Sequence, residues 1–268
     1  MMASVSTKDD IAPKMKHAKQ FHFSAIMVFV HLLFGLNASA QGVSDVIILP
    51  WTERVPFQYI NSDGKLAGIL YDLGEKIFKK AELAVKWQEV PANRILLMLE
   101  RNDERVCLVG WYKTPAREAV SNISSEIYRD KPLRGVLRSD SKYKNLPSLK
   151  SLSADTGIEL LFKQGYSYGA IVDELIASRS EKHIQRVTGN NSTILKMITL
   201  YRADLTFLPQ EEIDAHREVD ASFDVNFSVV KFAELKEGNT RHIVCSKNVA
   251  LETIAKLDKE IQTTLRNK

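Results

Sequence analysis

The stretch from Gly110 to Val120, GWYKTPAREAV, closes the apolar run RVCLVGW with two aromatic residues, a threonine and an arginine. A guanidinium placed where a strand runs out can grip a carboxylate through two charge-assisted hydrogen bonds. The competing reading is a surface loop in which Arg117 pairs with Glu118 or Glu126. A second stretch, KQGYSYG, brings Gly165, Tyr166, Ser167 and Tyr168 to the end of another strand-like run. Its G-x-S-x-G spacing matches a hydrolase elbow, with His183, His216 and His242 available further along. The α/β unit around it is too small for the sheet on which that motif works. The glycine pair therefore reads as a tight strand-to-helix turn whose amides can face a ligand. Trp51, Tyr112, Tyr166 and Tyr168 offer ring faces to a ligand ring or cation, and the same residues could equally fill a core. No His, Cys, Asp or Glu set has metal-ligand spacing, and there is no phosphate loop and no G-x-G-x-x-G after a strand, so neither metal nor cofactor is expected.

The elements that must position these residues alternate. SDVIILP reads as a buried strand, INSDGKLAG as a turn, and YDLGEKIFKKAEL as an amphipathic helix with Leu73, Ile77 and Leu83 on one face. AVKWQEV is the next strand, NRILLMLERN a helix capped by Asn93, and RVCLVGW a strand. After SSEIYRDKPLRGVLRSD the pattern restarts with GIELLFKQG, YGAIVDELIASR, HIQRVTG, NNSTILKMITLYRA and DLTFLP. It ends in RHIVCSKN and a long helix carrying Ile254, Leu257, Ile261 and Leu265. Two α/β units joined by extended segments predict two lobes, each a mostly parallel sheet flanked by helices. The expected boundaries are 41–137 for the first lobe, 138–242 for the second and 243–268 for a return to the first. The crossovers are placed near Gly135–Asp140 and His242–Lys247. Ligands in such sheets bind beyond the carboxyl ends of the strands, where both GWYKTPAR and KQGYSYG fall.

Composition bounds the function. Of 268 residues, 44% are hydrophobic and 26% charged, ordinary for a folded domain. From Met15 the chain shows Lys16 and Lys19, an apolar core from Phe21 to Leu36, and Ala38-Ser39-Ala40. That is the pattern of a secretory signal peptide cleaved before Gln41, with an upstream extension ahead of it. A membrane anchor is the alternative, but the core is short for a span and carries His22 and His31. The first 40 residues hold four lysines and two aspartates, so the remainder carries 33 basic against 31 acidic residues. That near-neutral balance gives no reason to expect a nucleic-acid partner. Cys107 and Cys245 each lie in an apolar run and are either buried thiols or, in an oxidising compartment, a disulfide.

Taken in order, VPFQYINSDGKLAGILYDL, GWYKTPAREAVSNISSEIYRD and HIVCSKNVALETIAKLDKEI resemble the periplasmic solute-binding proteins of the polar amino-acid uptake family. The resemblance implies a two-lobe type II periplasmic binding fold that closes by hinge motion, without catalysis. It places the ligand-carboxylate arginine on Arg117, a second carboxylate contact on Tyr112 near Gly110, and the loop that closes over the ligand on Gly165, Tyr166, Ser167 and Tyr168. Trp51 falls where relatives commonly keep an acid, Arg54 where they often stack an aromatic residue, and Arg94 on a helix lining the same cleft. The acid that meets a ligand ammonium is missing: Leu208, Pro209 and Gln210 stand there, with Glu211 adjacent. An anionic or aromatic ligand is therefore as reasonable as an amino acid. The implied role is a monomeric periplasmic protein that delivers a small, carboxylate-bearing, amino-acid-like solute to an ABC permease, or reports it to a membrane sensor. A third possibility is a periplasmic dehydratase of cyclic acids using Glu53, Glu89 or Glu211 as acid or base.

Overall fold

The computed structural model describes residues 45–266 apart from Thr156. The expected signal peptide lies outside the described residues, among which no helix is long and apolar enough to cross a membrane. The first lobe opens with β1 (Ile47–Trp51), the hairpin β2 (Tyr59–Ile60) and β3 (Leu66–Ala67), α1 (Ile69–Lys80), β4 (Val85–Glu89), α2 (Ala92–Arg101), β5 (Cys107–Tyr112), α3 (Pro115–Val120) and β6 (Ser121–Arg129). The second contains β7 (Leu133–Arg138), α4 (Leu149–Ala154), β8 (Leu160–Lys163), α5 (Ala170–Ser178), β9 (Ile184–Val187), α6 (Asn191–Thr199), β10 (Leu205–Pro209), α7 (Gln210–Val219), α8 (Phe223–Asn226) and β11 (Phe227–Val230). The chain returns to the first lobe with β12 (Thr240–Ser246) and α9 (Leu251–Arg266).

The expected helices form because their apolar spacing buries one stripe. In α1 that stripe is Leu70, Leu73, Ile77 and Phe78, with Asp72 in the first turn and Lys79 and Lys80 in the last, each complementing the helix dipole. In α9 Ile254, Leu257 and Ile261 are buried, while Leu265 remains partly exposed. Each such aliphatic side chain contributes about 1.5–3 kcal/mol by leaving water. The start of α2 differs from expectation: Pro91, not Asn93, holds the N-cap position.

The sheets are mixed rather than mostly parallel. Where a helix carries the chain back over the sheet, pairing is parallel: β1 with β4, β1 with β5 through the Ile48–Val106 bridge, β8 with β9, and β10 with β8. Strands that enter from or leave for the other lobe have no such helix. They pair antiparallel: β12 with β5 and β6, and β7 with β10 and β11. The expected boundaries at 137/138 and 242/243 consequently fall inside β7 and β12. The chain changes sheet at 130–132 and again just before β12. There the two passing segments touch, the Asp130 amide donating to the Asn239 carbonyl at 3.0 Å. A Cβ on Gly238 would lie 1.5 Å from the Asp130 carbonyl oxygen, so only glycine fits.

The first lobe's core gathers Ile47, Leu49, Phe57, Ile77, Phe78, Ile127 and Leu257. The second lobe packs α4 and α5 on one face of its five-stranded sheet through Leu152, Phe162, Val172 and Phe207. It packs α6 and α7 on the other through Ile194, Ile198, Leu208 and Ile213. Cys107 and Cys245 oppose each other across β5 and β12 and form a disulfide between positions 138 residues apart. Of the two readings left open for these cysteines, the bridge is the one found.

Candidate ligand-binding site

A cavity lies between the ends of β1 and β5 on one side and the 165–168 loop on the other. Trp51, Arg54, Phe57, Gly110, Trp111, Tyr112, Arg117, Tyr166, Ser167 and Arg241 are in its wall. The void is about 30 Å³, room for a water or two. Gly110 can stand here because its φ of +81 suits glycine, and because a Cβ would meet Leu70 Cδ1 at 2.2 Å.

Arg117 is turned into this wall by local chemistry. Thr114 caps α3 by accepting from the Arg117 amide at 3.3 Å, and Pro115 supplies a preset φ for the first turn. The guanidinium donates to the Tyr112 carbonyl at 2.6 Å and lies 4.7 Å from the Trp111 ring centroid. It is 8% exposed and, among the described residues, makes no ion pair with a carboxylate. Burial lowers its pKa to about 10; the field of Asp173 opposes this only in part, and that carboxylate already holds the Ser167 hydroxyl and the Tyr168 amide.

Arg241 on β12 is a contrast. Its Nε and Nη2 reach the two oxygens of Asp130 at 2.5 and 2.8 Å, and Nη1 donates to the Gly110 carbonyl at 2.7 Å. Its guanidinium carbon lies 4.2 Å from the Phe57 ring centroid and 4.7 Å from that of Tyr112. The Tyr112 hydroxyl donates to the same carboxylate. Burial raises the Tyr112 phenol to about 12, with Arg241 opposing and Asp130 adding to the rise.

A third guanidinium, Arg54, lies 5.1 Å from the Phe57 centroid and 5.3 Å from that of Tyr166, and its Nε pairs with Glu212 of α7 across the cleft. Burial works against the Arg54 charge, but the Glu212 carboxylate overrides it and holds the pKa above its ordinary value. Burial likewise pushes Glu212 up, and Arg54 with Lys163 holds it below the usual carboxylate range. Lys163, at the end of β8, rests its ammonium 5.0 Å from the Tyr166 centroid and has no ion pair among the described residues. Burial lowers its pKa to about 8, against the pull of Glu212. Arg241 and Arg54 are thus neutralised, whereas Arg117 and Lys163 leave surplus positive charge around the cavity.

A cleft between two α/β lobes, holding buried cations that form no ion pair among the described residues, can receive a small solute at the strand ends. A model of the bacterial extracellular solute-binding proteins, family 3, matches residues 47–266. The chain belongs to this family.

Solved structures agree on the fold. An ancestral arginine-binding protein bound to glutamine is 17% identical, with a TM-score of 0.66 over 83% of this chain and 92% of that one. The arginine-, lysine-, histidine-binding protein ArtJ from Geobacillus stearothermophilus is 14% identical, with a TM-score of 0.68 over 83% and 90%. The ancestral amino acid-binding protein AncCDT-1, a precursor of cyclohexadienyl dehydratase, is 15% identical, with a TM-score of 0.64 over 83% and 90%. A comparison with curated proteins finds no match.

Within this family 3 cleft the structure gathers Trp51, Gly110, Tyr112, Arg117, Tyr166 and Ser167. Three expected residues are not in its wall. Arg94 lines a separate hollow with Gln88, Glu89 and Arg101, because α2 turns that face away from the cleft. Gly165 borders an adjoining groove that shares Arg117, Tyr166 and Ser167 with the cavity. Tyr168 packs edge-on against Phe162 in the second core, its hydroxyl accepting from the Lys163 amide at 2.9 Å. The three candidate acids are not brought together: Glu53 meets Asn190, Glu89 is exposed, and Glu211 accepts from the Tyr128 hydroxyl and the Lys131 amide. Arg241, Lys163, Asp130 and Glu212 escaped the sequence reading. Only Arg241 left a sign there, as a charge two and four residues before the buried Ile243 and Cys245 on one strand.

Proposed function

We propose that this protein captures a small carboxylate-bearing solute of amino-acid size between its lobes and delivers it to a membrane permease. The observation that carries this reading is Arg117, a buried guanidinium in the cavity wall with one carbonyl and one ring as partners and no carboxylate paired to it among the described residues. A buried cation of this kind is costly unless something pairs with it, and a ligand carboxylate matches its two-pronged geometry. The cavity, at about 30 Å³, is smaller than such a solute, and an adjoining groove of about 480 Å³ shares Arg117, Tyr166 and Ser167 with it; on this reading the lobes part to admit the solute and close again around the 130–132 and 236–239 segments. The disulfide suits an oxidising compartment, in keeping with export to the periplasm.

A melting-temperature screen over amino acids, dicarboxylates, aromatic acids and polyamines tests the reading. At least one carboxylate should raise the transition in a concentration-dependent way, and polyamines should not. Stabilisation by polyamines with none from any carboxylate would overturn it.

A further inference from the structure

Relatives solved with arginine or glutamine show that this fold can hold a solute carrying a positive group. A cationic group in a protein cleft is held by an aromatic face and a carboxylate. This chain has such a place, and its own Arg54 is in it. The guanidinium lies against Phe57 of one lobe and Tyr166 of the other and pairs with Glu212, whose side chain is 1% exposed. The main chain at Arg54 is fixed by its amide donating to the Gln58 carbonyl at 2.7 Å and by its carbonyl accepting from the Phe57 amide at 2.7 Å, and the guanidinium itself is held by Glu212 and the two rings.

Most other acids near the cleft are also engaged; Glu100, in the groove that shares Arg117, Tyr166 and Ser167 with the cavity, is the exception among the described residues with no ion pair. Asp130 holds Arg241 and Tyr112, and Asp173 holds Ser167 and the Tyr168 amide. Glu211 has one oxygen on Tyr128 and Lys131 and its other oxygen buried without a partner; neither it nor Glu212 is in the cavity wall, but Glu212 reaches that wall through Arg54. A ligand ammonium entering the cavity would find Arg54, Arg117 and Arg241 in the wall and no free carboxylate.

Resting on the carboxylate reading above, we propose that the Arg54–Glu212 pair is a built-in occupant of the cleft's cation site. The solute is accordingly an organic acid that carries no ammonium or guanidinium group. Arg54 then sets specificity by exclusion, repelling cationic heads while leaving Arg117 for the acid.

Two measurements test this. The first is titration calorimetry of the wild-type protein with acid pairs that differ at one carbon, 2-oxoglutarate against glutamate and phenylpyruvate against phenylalanine. The keto acid should bind at least about tenfold tighter wherever either member binds; an amino acid bound as tightly as its keto partner would overturn the proposal. The second uses methylguanidinium as the probe. Arg54→Ala leaves Glu212 buried without its partner, so millimolar methylguanidinium should raise the melting temperature of this variant and leave the wild type unmoved. The same rise is expected in Arg54→Gln, which serves if the alanine variant does not fold, and it should vanish when Glu212→Gln is added. No response in either Arg54 variant, or an equal response in the wild type, would refute the occupant claim. If no acid of any kind binds the wild type, the carboxylate reading falls, and the methylguanidinium result still decides whether Arg54 fills a cation site.

Discussion

Arg117 and Arg241 share one cavity wall and are both almost wholly buried, yet their surroundings differ in kind. Arg241 has a carboxylate gripped at two points, a carbonyl and two rings. Arg117 has a carbonyl and a ring. A buried charge whose partners are all supplied by the chain belongs to the scaffold, and here that scaffold lies where Asp130 leaves the first lobe. A buried charge left short of a counter-ion stores an unfavourable term that an arriving anion relieves. On the reading proposed above, Arg241 belongs to the scaffold and Arg117 to the ligand.

The largest effect should come from breaking the satisfied pair. Asp130→Asn leaves Arg241 buried beside a neutral amide and should cost about 3–5 kcal/mol of folding stability, read from chemical denaturation. A loss below about 1 kcal/mol would mean that water already screens this pair. Next, Arg117→Ala should leave the stability of the unliganded protein unchanged or raised, since it removes an unpaired buried charge. It should weaken carboxylate binding by about 2–5 kcal/mol, roughly thirtyfold to several thousandfold. A variant that unfolds while its residual affinity is normal would put Arg117 in the same category as Arg241.

The smallest effect concerns Lys163, whose neighbours in the electrostatic field are Glu212, Arg54, Arg241 and Glu53. Its folded pKa is lowered to about 8, so it is mostly charged at neutral pH and loses its proton as pH rises through that value. A bound anion favours the charged form, so binding takes up a proton in this window. Affinity should fall roughly tenfold between about pH 7 and pH 9. Lys163→Met should flatten that profile; an unchanged slope in the variant would assign the dependence to another group.

What could be read from the sequence follows the range of the interactions involved. The strands β1, β4, β5, β8, β9, β10 and β12 and the helices α1, α2, α5, α6 and α9 were legible because apolar period and turn residues act within a few positions, whereas α3, α4, α7, α8 and β11 are too short or too polar to stand out. The position of Arg117 in the cavity wall is set locally as well: Thr114, Pro115 and the strand end that place it are its immediate neighbours. Asp130 and Arg241 are 111 residues apart, and Arg54 and Glu212 are 158 apart, so neither pairing has a local signature. The antiparallel pairing of β7 and β12 within sheets expected to be mostly parallel was not legible, because a strand's apolar pattern records which face is buried and not which neighbour is met. Tyr168 was assigned to the cleft and lies in a core because its hydroxyl finds the Lys163 amide, a partner that composition cannot show.

The bridge between Cys107 and Cys245 makes a covalent ring of everything from one cysteine to the other, and the entire second lobe lies inside that ring. A protease that nicks this lobe therefore produces no separable halves. The severed ends remain parts of one molecule, running as one species on a gel without reductant and parting only when thiol is added. Both cysteines belong to the first lobe, so the sulfur–sulfur bond keeps its two segments joined whichever peptide of the second lobe is cut.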